Sequence, residues 1–191
     1  MAQFTRQDDT VDPDNFGFNK RSLFIGGAVN LGFSGNTFVA GANPEIGFTV
    51  KEWLDVGALL NINYYAQSAD PNLYYNYNTR TRSFAYGVGA FTRIYPVNFL
   101  FLQVQPEFNF TNINYKDFSA IPAQKYSYQT QAPSLLVGAG YCQRIAGESN
   151  FYIAVLIDAL DNPNSPYRDA YTNTILPQYR AGFDIYLHPH G

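Results

Sequence analysis

Residues 100–111 read LFLQVQPEFNFT, and apolar and polar side chains alternate along this stretch with a period of two. Leu102, Val104 and Phe108 fall on one face, whereas Gln103 and Glu107 fall on the other. Because successive side chains of a β-strand point to opposite sides of a sheet, this period predicts a strand with one apolar and one polar face.

The same alternation recurs in seven further segments between residues 22 and 187. The chain of 191 residues allows about 24 residues for each of eight strands and its connection. Links near residues 51, 97 and 147 are short, whereas those near 73, 123 and 168 are long, with one loop expected over 116–130. This layout predicts an all-β fold, an eight-stranded antiparallel up-and-down transmembrane β-barrel over residues 21–188.

The composition supports a barrel and excludes several other classes. Hydrophobic residues make up 46% of the chain and charged ones 14%, against about 25% charged in ordinary soluble domains. No stretch approaches the roughly 18 consecutive apolar residues of a membrane-spanning helix, whereas barrel strands need only alternate. A soluble lipocalin-type barrel would need an apolar interior, the reverse of this pattern. A net charge of -3 provides no basic surface for nucleic acid.

The two ends of the chain are expected to lie outside the barrel. Residues 1–20 contain Pro13 and four aspartates with little periodicity, which predicts a flexible acidic periplasmic segment, and residues 189–191 form a C-terminal tail. In bacterial barrels short turns face the periplasm and long loops face outside, so both termini are predicted to be periplasmic. Aromatic residues near the strand ends, among them Phe84, Tyr86, Phe110 and Tyr95, are candidate aromatic girdles.

Two segments carry a family resemblance. Residues 43–48 (NPEIGF) and 177–183 (PQYRAGF) resemble barrel proteins common in Bacteroidota, and the layout is similar to small outer-membrane barrels of the OmpX, OmpA-transmembrane and OmpW type. The chain departs from the proteobacterial pattern because it ends LHPHG rather than in an aromatic residue. The resemblance implies a bacterial outer-membrane location, with outer-membrane lipid and lipopolysaccharide as partners, and possible membership of a larger outer-membrane protein complex.

Eight charged residues fall on the predicted inward faces, five of them acidic and three basic. An eight-stranded barrel is just wide enough for its side chains to fill, so we expect them to plug the lumen as one hydrogen-bonded network. The alternative is a narrow polar or proton-conducting path with Glu45, Glu107 and Arg180 close together. The predicted lumen charge network comprises Glu45, Asp55, Arg93, Glu107, Arg144, Asp158, Arg180 and Asp184.

Pro44, Pro106, Pro133 and Pro177 all fall on the outward face within the alternating segments. Proline lacks the backbone donor of a sheet ladder, so β-bulges are expected at these positions. The functional alternative is a lateral opening for lipid or hydrophobic solutes.

Tyrosines in the predicted loops suggest a surface that binds a protein partner or a glycan. Alternatively, they extend an aromatic girdle into lipopolysaccharide. The possible loop interaction surface comprises Tyr74, Tyr75, Tyr77, Tyr126, Tyr128, Tyr167 and Tyr171.

The sequence offers little for catalysis. Its histidines, His188 and His190, follow the last predicted strand, too far from any loop serine to serve as its base. Cys142 is the single cysteine, and no metal-ligand spacing or phosphate loop is present. We therefore expect a non-enzymatic barrel without cofactor or metal, with a structural, accessory-subunit or surface-interaction role. A narrow channel or a lateral-opening transporter is the alternative.

Overall fold

Eight antiparallel strands form a closed ring in chain order, and the last strand pairs with the first. This computed structural model describes residues 22–34, 37–69, 79–119, 121–144, 148–168 and 174–187. The prediction of an eight-stranded up-and-down barrel is confirmed. The segments predicted at residues 1–20 and 189–191 lie outside the described residues. The strands are β1 Leu23–Ser34, β2 Thr37–Lys51, β3 Leu54–Gln67, β4 Thr79–Val97, β5 Leu100–Asp117, β6 Gln124–Cys142, β7 Asn150–Asp158 and β8 Gln178–Tyr186.

The alternation of apolar and polar residues in the sequence corresponds to an alternation of exposed and buried side chains along the strands. In β7 every second side chain is buried, and Phe151 and Ile153 between them are 57% and 51% exposed. Along β5 the inward positions Gln105 and Asn109 are fully buried. Apolar side chains therefore cover the outside of the ring, whereas its inside holds polar side chains together with buried apolar ones such as Phe24, Leu136 and Leu156. Within the described residues, no helix has the length and apolarity needed to cross a membrane.

Aromatic side chains form a band on the outside of β4 and β5. The rings of Tyr86 and Phe110 stack at 5.5 Å, and Phe84 and Phe108 lie beside them. Tyr95 does not belong to a girdle as predicted, because it faces inward and is 7% exposed.

The wall of the barrel differs greatly in height. Strands β4, β5 and β6 have 18 or 19 residues, whereas β7 and β8 have nine each. The loop predicted over 116–130 is largely wrong, because β5 continues to Asp117 and β6 begins at Gln124. The two strands pair without interruption up to this end. Their outward residues there are polar, so the apolar alternation that marks a strand is missing.

The short strands leave a notch on one side of the barrel. Beyond Asp158 and before Gln178, the described residues form no strand between the outer parts of β6 and β1. Residues 159–177, called here the notch segment, connect β7 to β8. The Ala159 amide donates to the Leu135 carbonyl at 2.8 Å, which fixes the start of the segment to β6.

The prolines interrupt ladders without producing bulges. The β2–β3 ladder skips Pro44 and the β4–β5 ladder skips Pro106, and both resume in the same register. Pro133 lies beyond the end of β7, and Pro177 precedes the first residue of β8. The prediction of bulges at these prolines is wrong, because the missing donor is accommodated by omitting a ladder bond.

Candidate functional site

Arg93 is the centre of a buried ion cluster in the lumen. Its Nη2 donates to both carboxylate oxygens of Glu45, at 2.7 and 2.9 Å, and its Nη1 donates to Asp184 Oδ2 at 3.0 Å. Nε donates to Gln103 Oε1 at 2.9 Å, and Nη2 also lies 3.0 Å from the Tyr152 hydroxyl. The residue is 1% exposed, so four strands hold one cation away from solvent.

Aromatic rings enclose this guanidinium. Its central carbon lies 4.5 Å from the ring centroid of Phe91 and 4.4 Å from that of Tyr152, distances typical of cation–π contacts. The Tyr152 ring lies directly over Gly182, where an added Cβ would approach ring carbon Cζ to 2.1 Å. Phe91 lies over Gly57 in the same way. Glycines on neighbouring strands thus provide the space that the rings need.

A second ion pair lies near the short turns. Arg144 Nη2 donates to Asp55 Oδ1 at 2.8 Å, and its guanidinium carbon lies 3.7 Å from the Tyr95 ring centroid. Thr49 donates to the same Asp55 oxygen at 2.7 Å. Arg144 lies two residues beyond the end of β6, yet it is only 6% exposed because its side chain turns into the lumen.

Glu107 is the centre of a third cluster of polar side chains, which lies nearer the notch segment. Asn109 donates to it at 3.1 Å, Tyr167 donates at 2.5 Å, and Arg180 Nη2 lies at 3.7 Å. Burial, and then the Glu107 carboxylate, raise the pKa of the Tyr167 hydroxyl, so this group stays protonated and donates. Gln105 also hydrogen-bonds Glu107.

Two glutamines join the first and third clusters. Gln103 accepts from Arg93 and donates to Gln105 at 2.5 Å, and Gln105 accepts from Arg180 Nη1 at 3.1 Å. The alternative grouping of Glu45 and Glu107 with Arg180 is right for Glu107, which lies 3.7 Å from Arg180. It is wrong for Glu45, which pairs with Arg93.

Asp158, the remaining predicted member, has no cation as a partner among the residues that the structure describes. Its Oδ1 accepts the amides of Leu135 and Leu160 at 3.0 and 3.1 Å, and its Oδ2 accepts the Ser165 hydroxyl at 2.6 Å. The inclusion of Asp158 in a charge network is therefore a misassignment. Asp158 is the last residue of β7, and its carboxylate fixes the start of the notch segment by accepting hydrogen bonds from Leu160 and Ser165.

Tyr167 is not a surface residue, contrary to the prediction. It is 2% exposed because its side chain points into the lumen, where its hydroxyl donates to Glu107 and accepts from Asn61. Tyr126 and Tyr128 are 55% and 47% exposed, but they belong to β6 rather than to a loop. The other four predicted tyrosines, Tyr74, Tyr75, Tyr77 and Tyr171, lie outside the described residues.

Asparagines complete the filling and were not predicted as site residues. Asn61 donates to Asn109 Oδ1 at 2.7 Å and to the Tyr167 hydroxyl at 2.8 Å, and Asn43 donates to Asn61 at 2.8 Å. Their signal in the sequence was an asparagine on the polar face of several neighbouring strands. Within the described part of the chain, no group of three or more potential metal ligands occurs.

A cavity of about 310 Å³ lies beside the notch segment. It is lined by the inward-facing Asn30 and Asn63 and by the outward-facing Leu31 and Tyr179, with Pro177 between them. The cavity thus extends from the polar interior to the apolar outside.

No protein-family profile matches the sequence, and no curated protein matches it either. Among solved structures, the barrel is similar to Ail, the attachment invasion locus protein of Yersinia pestis, in complex with the heparin analogue sucrose octasulfate. The TM-score is 0.50 at 11% identity, over 86% of this chain and 97% of that chain. The N-terminal β-barrel domain of Pseudomonas aeruginosa OprF gives a TM-score of 0.40 at 13% identity, over 86% and 94%. The translocator domain of Neisseria meningitidis NalP gives 0.49 at 8%, over 87% and 89%. At such identities, the likeness to Ail concerns the fold alone.

Proposed function

We propose that this chain is a closed, non-enzymatic barrel of the bacterial outer membrane that acts as a structural element, an accessory subunit or a surface for interaction. The observation that carries this proposal is the interior centred on Arg93, in which ion pairs, amides and aromatic rings occupy the space along the axis. The interior of an eight-stranded barrel is only wide enough for such side chains. Function then resides on the outside of the barrel and at its rims.

The outward surface supports the membrane location. Apart from the polar extended ends of β4, β5 and β6, it is apolar on all eight strands. It carries an aromatic band on β4 and β5 and exposed Trp53, Phe99 and Phe151 towards the short turns. A tilted strand needs about 9–11 residues to cross a bilayer, so β7 and β8 are just long enough, whereas β4–β6 extend beyond it. We assign this extended end to the cell exterior and both termini to the periplasm, as is usual for bacterial barrels.

Opening the lumen would require breaking buried ion pairs. Removing one partner of such a pair typically costs about 3–5 kcal/mol, because the other charge stays buried alone. Arg93 contacts two carboxylates at once, so no single rotamer change frees a path past it. We therefore expect the resting barrel not to conduct.

Conductance of single barrels in planar bilayers tests closure. The wild-type protein should give no steady current steps, whereas replacing Glu45, Arg93 and Asp184 together by Ala should create measurable ones. A matched variant with three outward residues, Ile46, Val88 and Val104, replaced by Ala should behave like the wild type. Steady ohmic current through the wild type would overturn the proposal.

The cavity beside the notch segment favours a second function, a lateral route for small hydrophobic solutes. It connects the lumen to the outer apolar surface where the wall is lowest. Ser83 lines its inner end, so Ser83→Trp should fill it and abolish binding of an environment-sensitive hydrophobic dye. Ala90→Trp on the outside of the same strand is the control. Equal dye binding by both variants would exclude the route.

A further inference from the structure

Four basic residues lie together on the outside of the barrel, at the end where β4, β5 and β6 extend furthest. Arg80 is directly opposite Lys116, and Lys116 is directly opposite Lys125 on the next strand. Arg82 lies two residues further along β4. These four, called here the basic face, are a third of the twelve Lys and Arg residues of a chain with net charge -3.

Their arrangement is unfavourable unless an anion is present. Like charges directly opposite each other on neighbouring strands destabilise a sheet. Among the described residues, none of the four forms an ion pair with a carboxylate, and their outward neighbours Asn114 and Ser127 are neutral. Phe118 provides the contact in place of a carboxylate: its ring centroid lies 4.6 Å from Lys116 Nζ and 5.7 Å from the Arg80 guanidinium carbon.

The basic face borders a groove and lies next to the aromatic band. All four cations line a cavity of about 490 Å³, together with Tyr115 and Tyr126. Arg82 and Phe84 are on the same face of β4, two residues apart, which corresponds to about 7 Å along the strand. Aromatic residues mark the level of lipid headgroups, so the cations lie at the height of the phosphates.

We propose that the basic face binds the phosphate groups of a phosphorylated glycolipid of the lipid A type, whose acyl chains lie against the apolar outside of β4–β6. This inference rests on the orientation given under the proposed function, and it does not depend on whether the lumen is closed. The four cations have no carboxylate partner among the described residues, and they lie next to the apolar outside of the same strands. This arrangement matches a ligand that has an anionic headgroup and several acyl chains. Neutralising the row should both weaken lipid binding and relieve the repulsion in the lipid-free protein.

Titration of detergent-solubilised protein with bisphosphorylated lipid A, followed by native mass spectrometry, tests the proposal. Each basic residue near a membrane surface contributes about fivefold to binding of anionic lipid. Lys116→Gln should therefore bind about fivefold more weakly, and replacing all four cations by Gln should remove specific binding. Lys51→Gln is the matched control, because Lys51 also lies over a ring, that of Trp53 at 5.5 Å, but at the opposite end of the barrel.

A second arm uses only the wild-type protein, so it does not depend on the folding of any variant. Lipid A stripped of its phosphates should bind at least tenfold more weakly than the bisphosphorylated form. Equal binding of the two lipids, or equal loss in Lys116→Gln and Lys51→Gln, would overturn the proposal. Binding of a sulfated polysaccharide without binding of lipid A would overturn it in favour of a glycan site. Trypsin cleavage at Lys125 in intact cells separately tests whether the extended end faces the cell exterior. The conductance measurement separately tests whether the lumen is closed.

Discussion

Replacing Arg93 by Met should destabilise the barrel severely, because two carboxylates lose their shared cation. Glu45 and Asp184 are 7% and 2% exposed, so neither can regain its hydration without opening the wall. Loss of one partner from a buried ion pair costs about 3–5 kcal/mol, and here the same change leaves two charges unpaired. We expect a loss of at least 3 kcal/mol in the free energy of unfolding.

Urea unfolding in lipid vesicles, followed by the gel mobility of folded and unfolded barrel, measures this loss. Arg82→Met removes an exposed cation from the outside of the same strand and should change stability by less than about 1 kcal/mol. The triple variant Glu45→Gln, Arg93→Met, Asp184→Asn removes the charges together, and it should recover most of the loss. If Arg93→Met costs no more than Arg82→Met, the buried network does not stabilise the barrel and our reasoning is refuted.

Three further changes test other parts of the structure by the same unfolding measurement. Gly182→Ala places a methyl group against the Tyr152 ring and should cost about 1–3 kcal/mol by overpacking. Tyr167→Phe removes the donor to the Glu107 carboxylate and should cost about 1.5–3 kcal/mol, with faster proteolysis of the notch segment. Val104→Arg places a charge on the outward face at mid-height and should cost about 2–4 kcal/mol in a bilayer.

Each of these changes has its own control. Combining Gly182→Ala with Tyr152→Leu should cost less than the sum of the single changes, because the clash is shared. Tyr128→Phe, at an exposed tyrosine, should leave stability and proteolysis unchanged. Gln129→Arg lies near the membrane interface, in the ladder row of Asn112 and Phe84, and should cost only about 0–1 kcal/mol. Additive costs of Gly182→Ala and Tyr152→Leu would contradict the packing described. So would equal effects of Tyr167→Phe and Tyr128→Phe, or of Val104→Arg and Gln129→Arg.

The sequence predicted the ring of strands and the facing of most side chains because both depend on a period of two, which is local. It could not predict that Glu45 bonds Arg93. These residues lie on β2 and β4, and their contact depends on heights across the lumen that only the registers of two ladders determine. Without an apolar face, the extended ends of β5 and β6 resembled a loop.

Tyr167 shows another limit of local patterns. It belongs to a proline-rich connection without periodicity, and its burial follows from the shortness of β7 and β8 on either side. The Tyr167 side chain enters the space beside these short strands, where its hydroxyl meets Glu107. Nothing within residues 159–177 alone indicates that its neighbours end early.

The short seam between β1 and β8 has a consequence for how the chain completes its ring. The two strands pair only from Phe24 with Tyr186 to Val29 with Ala181, so few backbone bonds distinguish the correct register from a neighbouring one. A slip of one residue would turn Asp184 towards lipid and Ile185 into the interior. A misaligned ring would thus expose a charge to lipid, so the two-sided pattern of β8 favours the correct register where the few backbone bonds do not.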